Sequence, residues 1–257
     1  MLPPKDYPLE QRDDSGVQVR REARLRYAAL TDTGKREQNE DAYFAGRMDG
    51  HHLFAVADGL GGHACGEVAS RMAIEILAEA ADEELPESEP GELLGRAFKR
   101  INTAIFTYNR DNGLNAGTTL SAAIVAESGR CWIGTVGDSR THIVTPTSIW
   151  HTRDQTYVQG LVESGAISPA EAMVHPRKNV LTQALGLSAR VQVDLDVVEL
   201  ACGVLLISSD GLHDYVPESV IREIVLGNEP DMACRRLIDA ASDAASTDNT
   251  TVIVARA

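Results

Sequence analysis

The sequence is poor in several things, and each shortage excludes a class of protein. Phe, Trp and Tyr make up 5% of the 257 residues, and no apolar run approaches the ~18 residues of a membrane span. The amino terminus lacks the apolar core of a signal peptide. Four cysteines, Cys65, Cys131, Cys202 and Cys234, are scattered without paired metal-ligand spacing, which excludes a disulfide framework or zinc ribbon and fits a reducing compartment. Basic residues are outnumbered, 24 Lys and Arg against 38 Asp and Glu, for a formal charge of -14. Such a surface does not suit a general nucleic-acid binder. No internal repeat or heptad pattern is present.

What is present is a core: 43% of the residues are hydrophobic, enough for one domain of this length. Residues 1–21 are polar and carry three prolines, so they read as a flexible leader before a domain spanning 22–257. Strands are expected at 25–31, 53–57, 118–125, 130–136, 203–208 and 250–255. Helical spacing of apolar residues predicts helices over 66–81, 92–110, 217–226 and 231–244. Val191, Val193, Leu195 and Val197 alternate with polar residues, the period of a half-buried strand in an antiparallel sheet. The long polar stretch 145–186, with helical pieces near 157–164 and 169–173, reads either as a mobile flap beside a site or as a tolerated surface insertion.

The chemistry gathers where apolar runs stop. The run Leu53 to Ala57 ends at Asp58, followed by Gly59, Gly61 and Gly62, which let the backbone turn and approach whatever Asp58 holds. Asp41, Asp138, Asp210 and Asp248 each lie beside another strand-like run. Carboxylates gathered at one rim repel unless cations neutralise them, and hard oxygen ligands suit Mg²⁺ or Mn²⁺. Arg36, Asn39 and Glu40 cluster just before Asp41. Each acid alone reads more simply as a solvated turn; only their convergence would make a site. A second reading rests on Cys65 and Arg71, with five residues between them, the spacing of a thiolate phosphatase at a helix N-terminus.

The blocks GKREQNEDAYF, VADGLGGH, AGTTLSAAIV, VGDSR, NVLTQALG, LLISSDGLHDYV and DNTTVIV occur in this order from about residue 25 to the end. Together they resemble the metal-dependent Ser/Thr protein phosphatases of the type 2C (PPM) family, in its bacterial form; any one block alone would be weak. The resemblance implies an α+β fold, a four-layer α/β/β/α sandwich of two antiparallel sheets flanked by helix pairs. It implies hydrolysis of phosphoserine and phosphothreonine in proteins by a water bridging two Mn²⁺ or Mg²⁺ ions, reversing Ser/Thr kinase signalling. By the same kinship Asp58 bridges the ions, the Gly59 carbonyl binds the first, and Asp210 and Asp248 bind the second. Glu40 and Asp41 complete the cluster directly or through water, Arg36 binds phosphate, Asp138 matches the position of a third, looser ion, and residues 152–180 resemble the flap that bacterial members place over the site. Where eukaryotic members carry a histidine after Asp-Gly, this chain has Leu60, and His63 lies three residues further on. Phosphorylated proteins, a Ser/Thr kinase among them, are the expected partners of a cytoplasmic monomer that binds neither nucleic acid nor membrane. The non-enzymatic alternative is a silent phosphatase-like binding domain, which normally lacks the metal ligands that this chain keeps.

Overall fold

The computed structural model describes residues 18–21, 25–61, 65–200 and 203–256, with side chains described from 25 onward. His63, Gly62, Cys202 and most of the expected leader lie outside them.

Six strands form one sheet in the order β1 (Gln18–Arg21), β2 (Arg26–Asp32), β12 (Thr250–Arg256), β11 (Val204–Ser208), β8 (Arg140–Val144) and β9 (Ile149–His151). The second sheet runs β10 (Asp194–Glu199), β7 (Arg130–Val136), β6 (Leu120–Ala126), β4 (His51–Leu60) and β3 (Asp41–Met48), with the short β5 (Gly117–Thr118) pairing the end of β4. Every pairing is antiparallel. Helices α1 (Cys65–Glu84) and α2 (Pro90–Asn112) cover the second sheet, and α5 (Asp210–His213), α6 (Glu218–Gly227) and α7 (Pro230–Asp243) cover the first. The expected four-layer α/β/β/α sandwich is the observed fold.

Three apolar seams hold the layers. Leu77, Leu93, Phe98, Ile101 and Ile105 pack α1 and α2 onto Leu53, Ala55 and Leu120 of the second sheet. Tyr27, Phe54, Val56, Ile133, Leu205 and Ile253 fill the space between sheets. Leu212, Ile221, Val225 and Leu237 pack α5 to α7 onto Val252 and Leu206. Alternation sorts each strand between seams: on β4, Leu53 and Ala55 face the helices while Phe54 and Val56 face the other sheet.

Three expectations shift. Gln18–Arg21, read as the end of a leader, forms strand β1 against β2. Its charged composition hides it, because backbone pairing at a sheet edge needs no apolar face. The strand after the flap starts at Asp194 and not at Val191, and its facing is reversed: Leu195 and Val197 are 49% and 53% exposed. They lie at the open rim, where Leu195 only brushes Gly95 and Gly134 under α2. Asp58 and Gly59 do not begin a turn, since β4 continues through Leu60 by pairing with β5.

The expected flap holds α3 (Tyr157–Glu163) and α4 (Pro169–Met173). Gln155 fixes its root, accepting from Gly137 N–H at 2.9 Å and from Thr182 N–H at 2.7 Å. Its far end is tied down by Lys178, whose Nζ lies 2.6 Å from Asp214 Oδ2.

Candidate metal centre

Asp41 and Asp58 stand directly opposite each other in the β3–β4 ladder. Like charges in that register destabilise a sheet, so this position was not chosen for stability. Both sheets contribute to what surrounds them. Asp210 opens α5 at the end of β11, Asp138 occupies the turn between β7 and β8, and Asp248 precedes β12.

The backbone around Asp58 is tightly held. Its N–H donates to Thr119 Oγ1 at 3.0 Å, and its carbonyl accepts from Thr118 Oγ1 and Thr119 N–H, each at 2.9 Å. Gly59 has no room for a side chain: a Cβ would lie 2.3 Å from the Gly66 carbonyl oxygen and 2.7 Å from that of Glu40. Glycine is required there by close approach of three backbone segments. Asp41 Oδ2 accepts from Ser209 Oγ at 2.8 Å and Thr251 Oγ1 at 2.7 Å, bonds that tie one sheet to the other.

Burial and mutual repulsion set the electrostatics. Burial pushes the Asp58 carboxyl well above the usual range, and the fields of Asp41, Asp210, Asp138 and Asp248 push it further. Asp210 is raised well above its ordinary value by burial, then by Asp138, Asp248, Asp214 and Asp41. Asp138 is pushed up to about 7 by burial and by Asp154 and Asp214, with Arg140 opposing. Asp41 rises to about 6 through burial, held back by its two hydroxyl donors. Glu40 is raised by burial, with Arg36 opposing. The structure therefore brings all the predicted acids into one field.

Whether this set suits divalent ions is tested by what the acids leave unsatisfied. Asp41 Oδ1 and Asp210 Oδ1 are buried without a hydrogen-bond partner, an expensive state for a carboxylate oxygen. An all-oxygen, multiply negative donor set fits Mg²⁺ or Mn²⁺. Among the described residues, no three acid, histidine or cysteine side chains close into a ready ligand set.

Arg36 sits in the turn between β2 and β3 and reaches the same rim, its Nη2 2.6 Å from Asp248 Oδ2. Several supporting residues gave no sequence signal of their own. Asn249 donates through Nδ2 to the carbonyls of Thr33 at 2.9 Å and Gln38 at 3.0 Å. Arg140 and Asp154 form a bidentate pair at 2.8 and 2.6 Å, only 17% and 16% exposed. The alternation of β12 could have pointed to Thr251, while Asn249 and Ser209 read as ordinary turn residues.

The thiolate alternative fails on geometry. Arg71 points to the outside of α1 and pairs with Glu67 one turn back, its side chain 62% exposed. It forms no anion cradle with Cys65. Cys131 and Cys234 are buried thiols pushed up to about 12, unsuited to nucleophilic work.

Residues 33–225 match the family model described as Protein phosphatase 2C. The chain is 40% identical over 207 residues to the serine/threonine phosphatase stp of Listeria monocytogenes, covering 76% of this chain and 81% of that one. It is 38% identical over 239 residues to the serine/threonine protein phosphatase PstP of Mycobacterium tuberculosis, covering 90% of this chain and 45% of PstP. The crystal structure of the Mycobacterium tuberculosis phosphatase PstP/Ppp superimposes with a TM-score of 0.83 at 37% identity, covering 93% of this chain and 99% of that one. The catalytic domain of PstP in complex with two manganese ions superimposes with a TM-score of 0.79 at 36% identity, covering 90% of this chain and 97% of that one. The chain belongs to the protein phosphatase 2C family. Within it, this is a metal-dependent serine/threonine phosphatase of the bacterial PPM type.

Proposed function

We propose that Asp58, Asp210, Asp248 and the Gly59 carbonyl hold two divalent ions, with Glu40 and Asp41 completing the cluster directly or through water. Arg36 binds the phosphate of a phosphoserine or phosphothreonine side chain. Asp138, beside Asp210, is the ligand for a third and looser ion. The observation that carries this reading is a set of five aspartates from separate elements, four of them raised by burial and two with an unsatisfied oxygen.

When bound, the ions lower the pKa of water toward neutrality and offset charge on the phosphoryl oxygens. The protein does the rest. Asp58 contributes its charge only as a carboxylate, and burial, with the fields of its neighbours added, favours its protonated form until cations compensate. Ser209 and Thr251 keep Asp41 oriented and favour its ionised form. Arg36 presents a planar fork that clamps two phosphate oxygens and aligns phosphorus for in-line attack, a geometry lysine lacks.

Phosphorylated proteins are the substrates, and an autophosphorylated Ser/Thr kinase is the expected partner. The chain acts as a cytoplasmic monomer without nucleic-acid or membrane contact; its acidic surface supports the first exclusion. Among the described residues no helix is long and apolar enough to cross a membrane.

The test is hydrolysis of a phosphothreonine peptide with Mn²⁺, after EDTA, and after thiol alkylation. Loss with EDTA, recovery with Mn²⁺ and indifference to alkylation are expected. A folded sample that turns over nothing at any Mn²⁺ concentration would overturn the reading. Sites that accumulate phosphate in cells carrying Asp210→Asn identify the substrates.

A further inference from the structure

Asp248 differs from its neighbours in having both carboxylate oxygens engaged. Oδ1 accepts the Asn249 N–H at 2.8 Å, and Oδ2 accepts Arg36 Nη2 at 2.6 Å. Arg36 also donates from Nε to the Thr247 carbonyl at 3.3 Å. Asp41 and Asp210, by contrast, each keep one buried oxygen bare.

The backbones that carry this pair are fixed to one another. Asn249 Oδ1 accepts the Glu40 N–H at 2.8 Å, while its Nδ2 holds the carbonyls of Thr33 and Gln38. Gly34, at φ +60°, lies so near the other segment that a Cβ would stand 2.3 Å from the Asp248 carbonyl oxygen. Loop movement is therefore closed off as a way of separating Arg36 from Asp248. Rotation of the long Arg36 side chain, 53% exposed, remains.

We propose that Asp248 is the resting partner of Arg36, so that the arginine becomes more available to a phosphate group when a divalent cation replaces it on Asp248. This rests on reading Asp248 as a metal ligand and Arg36 as the phosphate clamp, and adds an order of events to both. A dication seated on Asp248 Oδ2 competes with the guanidinium for that oxygen and repels it, an effect partly screened because the two side chains are 27% and 53% exposed. A guanidinium neutralised by its own carboxylate, moreover, has little net attraction left for an anion. By linkage the coupling runs both ways: phosphate that draws Arg36 off Asp248 tightens metal binding by the same factor.

The experiment uses inorganic phosphate as the probe and the full chain, with affinity measured by titration calorimetry. Six proteins are compared in EDTA: wild type, Asp248→Asn, Asp210→Asn, Arg36→Ala and the two double variants that combine Arg36→Ala with each asparagine, with circular dichroism checking that each is folded. Asp248→Asn keeps the shape but holds a guanidinium weakly, so metal-free phosphate affinity is expected to rise at least about fivefold. That gain should vanish in the Arg36→Ala background. Asp210→Asn alters a neighbouring acid of the same rim without releasing Arg36, and its smaller gain should be insensitive to Arg36→Ala. Equal gains from the two asparagine variants, or a gain that survives without Arg36, would mean simple electrostatics and overturn the proposal. Independently, the Arg36 Nε–H signal, assigned by its loss in Arg36→Ala, should move when Mg²⁺ alone is added; a signal that stays put overturns the exchange. If Arg36→Ala leaves phosphate binding to the Mg²⁺-loaded protein unchanged, the premise that Arg36 clamps phosphate has failed, and the exchange falls with it.

Discussion

Asp58 and Asp41 would both be better, for folding alone, as amides. Asp58→Asn should cut turnover about a thousandfold, ~4 kcal/mol of transition-state stabilisation at 1.36 kcal/mol per decade. The same change should raise the melting temperature of the metal-free protein by about 2–4 °C for each kcal/mol of repulsion relieved. Calorimetry in EDTA checks this; a lower melting temperature would contradict the repulsion described between Asp58 and Asp41. The acids themselves were legible because each interrupts an apolar run. Their helpers were not: Ser209, Thr119 and Asn249 are small polar residues beside turns, where a hydrogen bond to solvent is the ordinary expectation. Only the β3–β4 register puts Asp41 against Asp58, and register is a property of paired strands rather than of either one.

Two elements carry predictions of their own. In the turn between β2 and β3, Gly34→Ala forces a strained φ and a collision with the Asp248 carbonyl. It should cost at least about 2 kcal/mol in urea unfolding, with Arg36 and Asp248 displaced together. On β8, His142 is fully buried beside the rings of His151 and His213, at centroid distances of 5.5 and 6.2 Å. Burial, and then Arg140 and His151, hold its pKa well below the ordinary histidine value. Folded His142 stays neutral while the unfolded chain takes up a proton below pH ~6.5, so stability is present above that value and lost as pH falls. His142→Leu should therefore lessen the fall in melting temperature of the Mg²⁺-loaded protein between pH 7 and pH 5.5; an unchanged slope would exclude His142 as its source. Helices were the most legible elements, since apolar residues at three- and four-residue intervals marked α1, α2, α6 and α7. Strands were legible only where a seam was continuous. At β10 the alternation of Leu195 and Val197 was real, but a rim strand has too little covering it for the pattern to tell inside from outside.

For the whole molecule, the carboxyl groups reverse the sign found for His142. Asp41 at about 6 and Asp138 at about 7, with Asp58 and Asp210 also raised well above their ordinary range, have folded values above the unfolded value near 3.8. Their contribution is fully present below that value and is lost as pH rises through the folded ones. The melting-temperature gain on adding Mg²⁺ should therefore grow from pH 5 to pH 8. Taking the difference between loaded and metal-free protein at each pH removes the histidine contribution, and a gain independent of pH would contradict the raised carboxyl values. At this scale the sandwich followed from the ordered blocks of the family, because every block but NVLTQALG borders a strand in one sheet or the other. The β1 edge strand had no block and no apolar face to declare it.

The two bonds from Ser209 and Thr251 to Asp41 cross the gap between the sheets at the very place where like charges are packed. Acids from both halves of the sandwich thus meet at one seam, and dications seated there would act as rivets between the halves. A cell starved of manganese and magnesium should then lose this enzyme to proteases as well as silence it, with cleavage beginning where the layers part. Limited proteolysis at matched concentrations, with and without Mn²⁺, would reveal this as a change in the rate of the first cut; equal rates would show that the halves need no rivet.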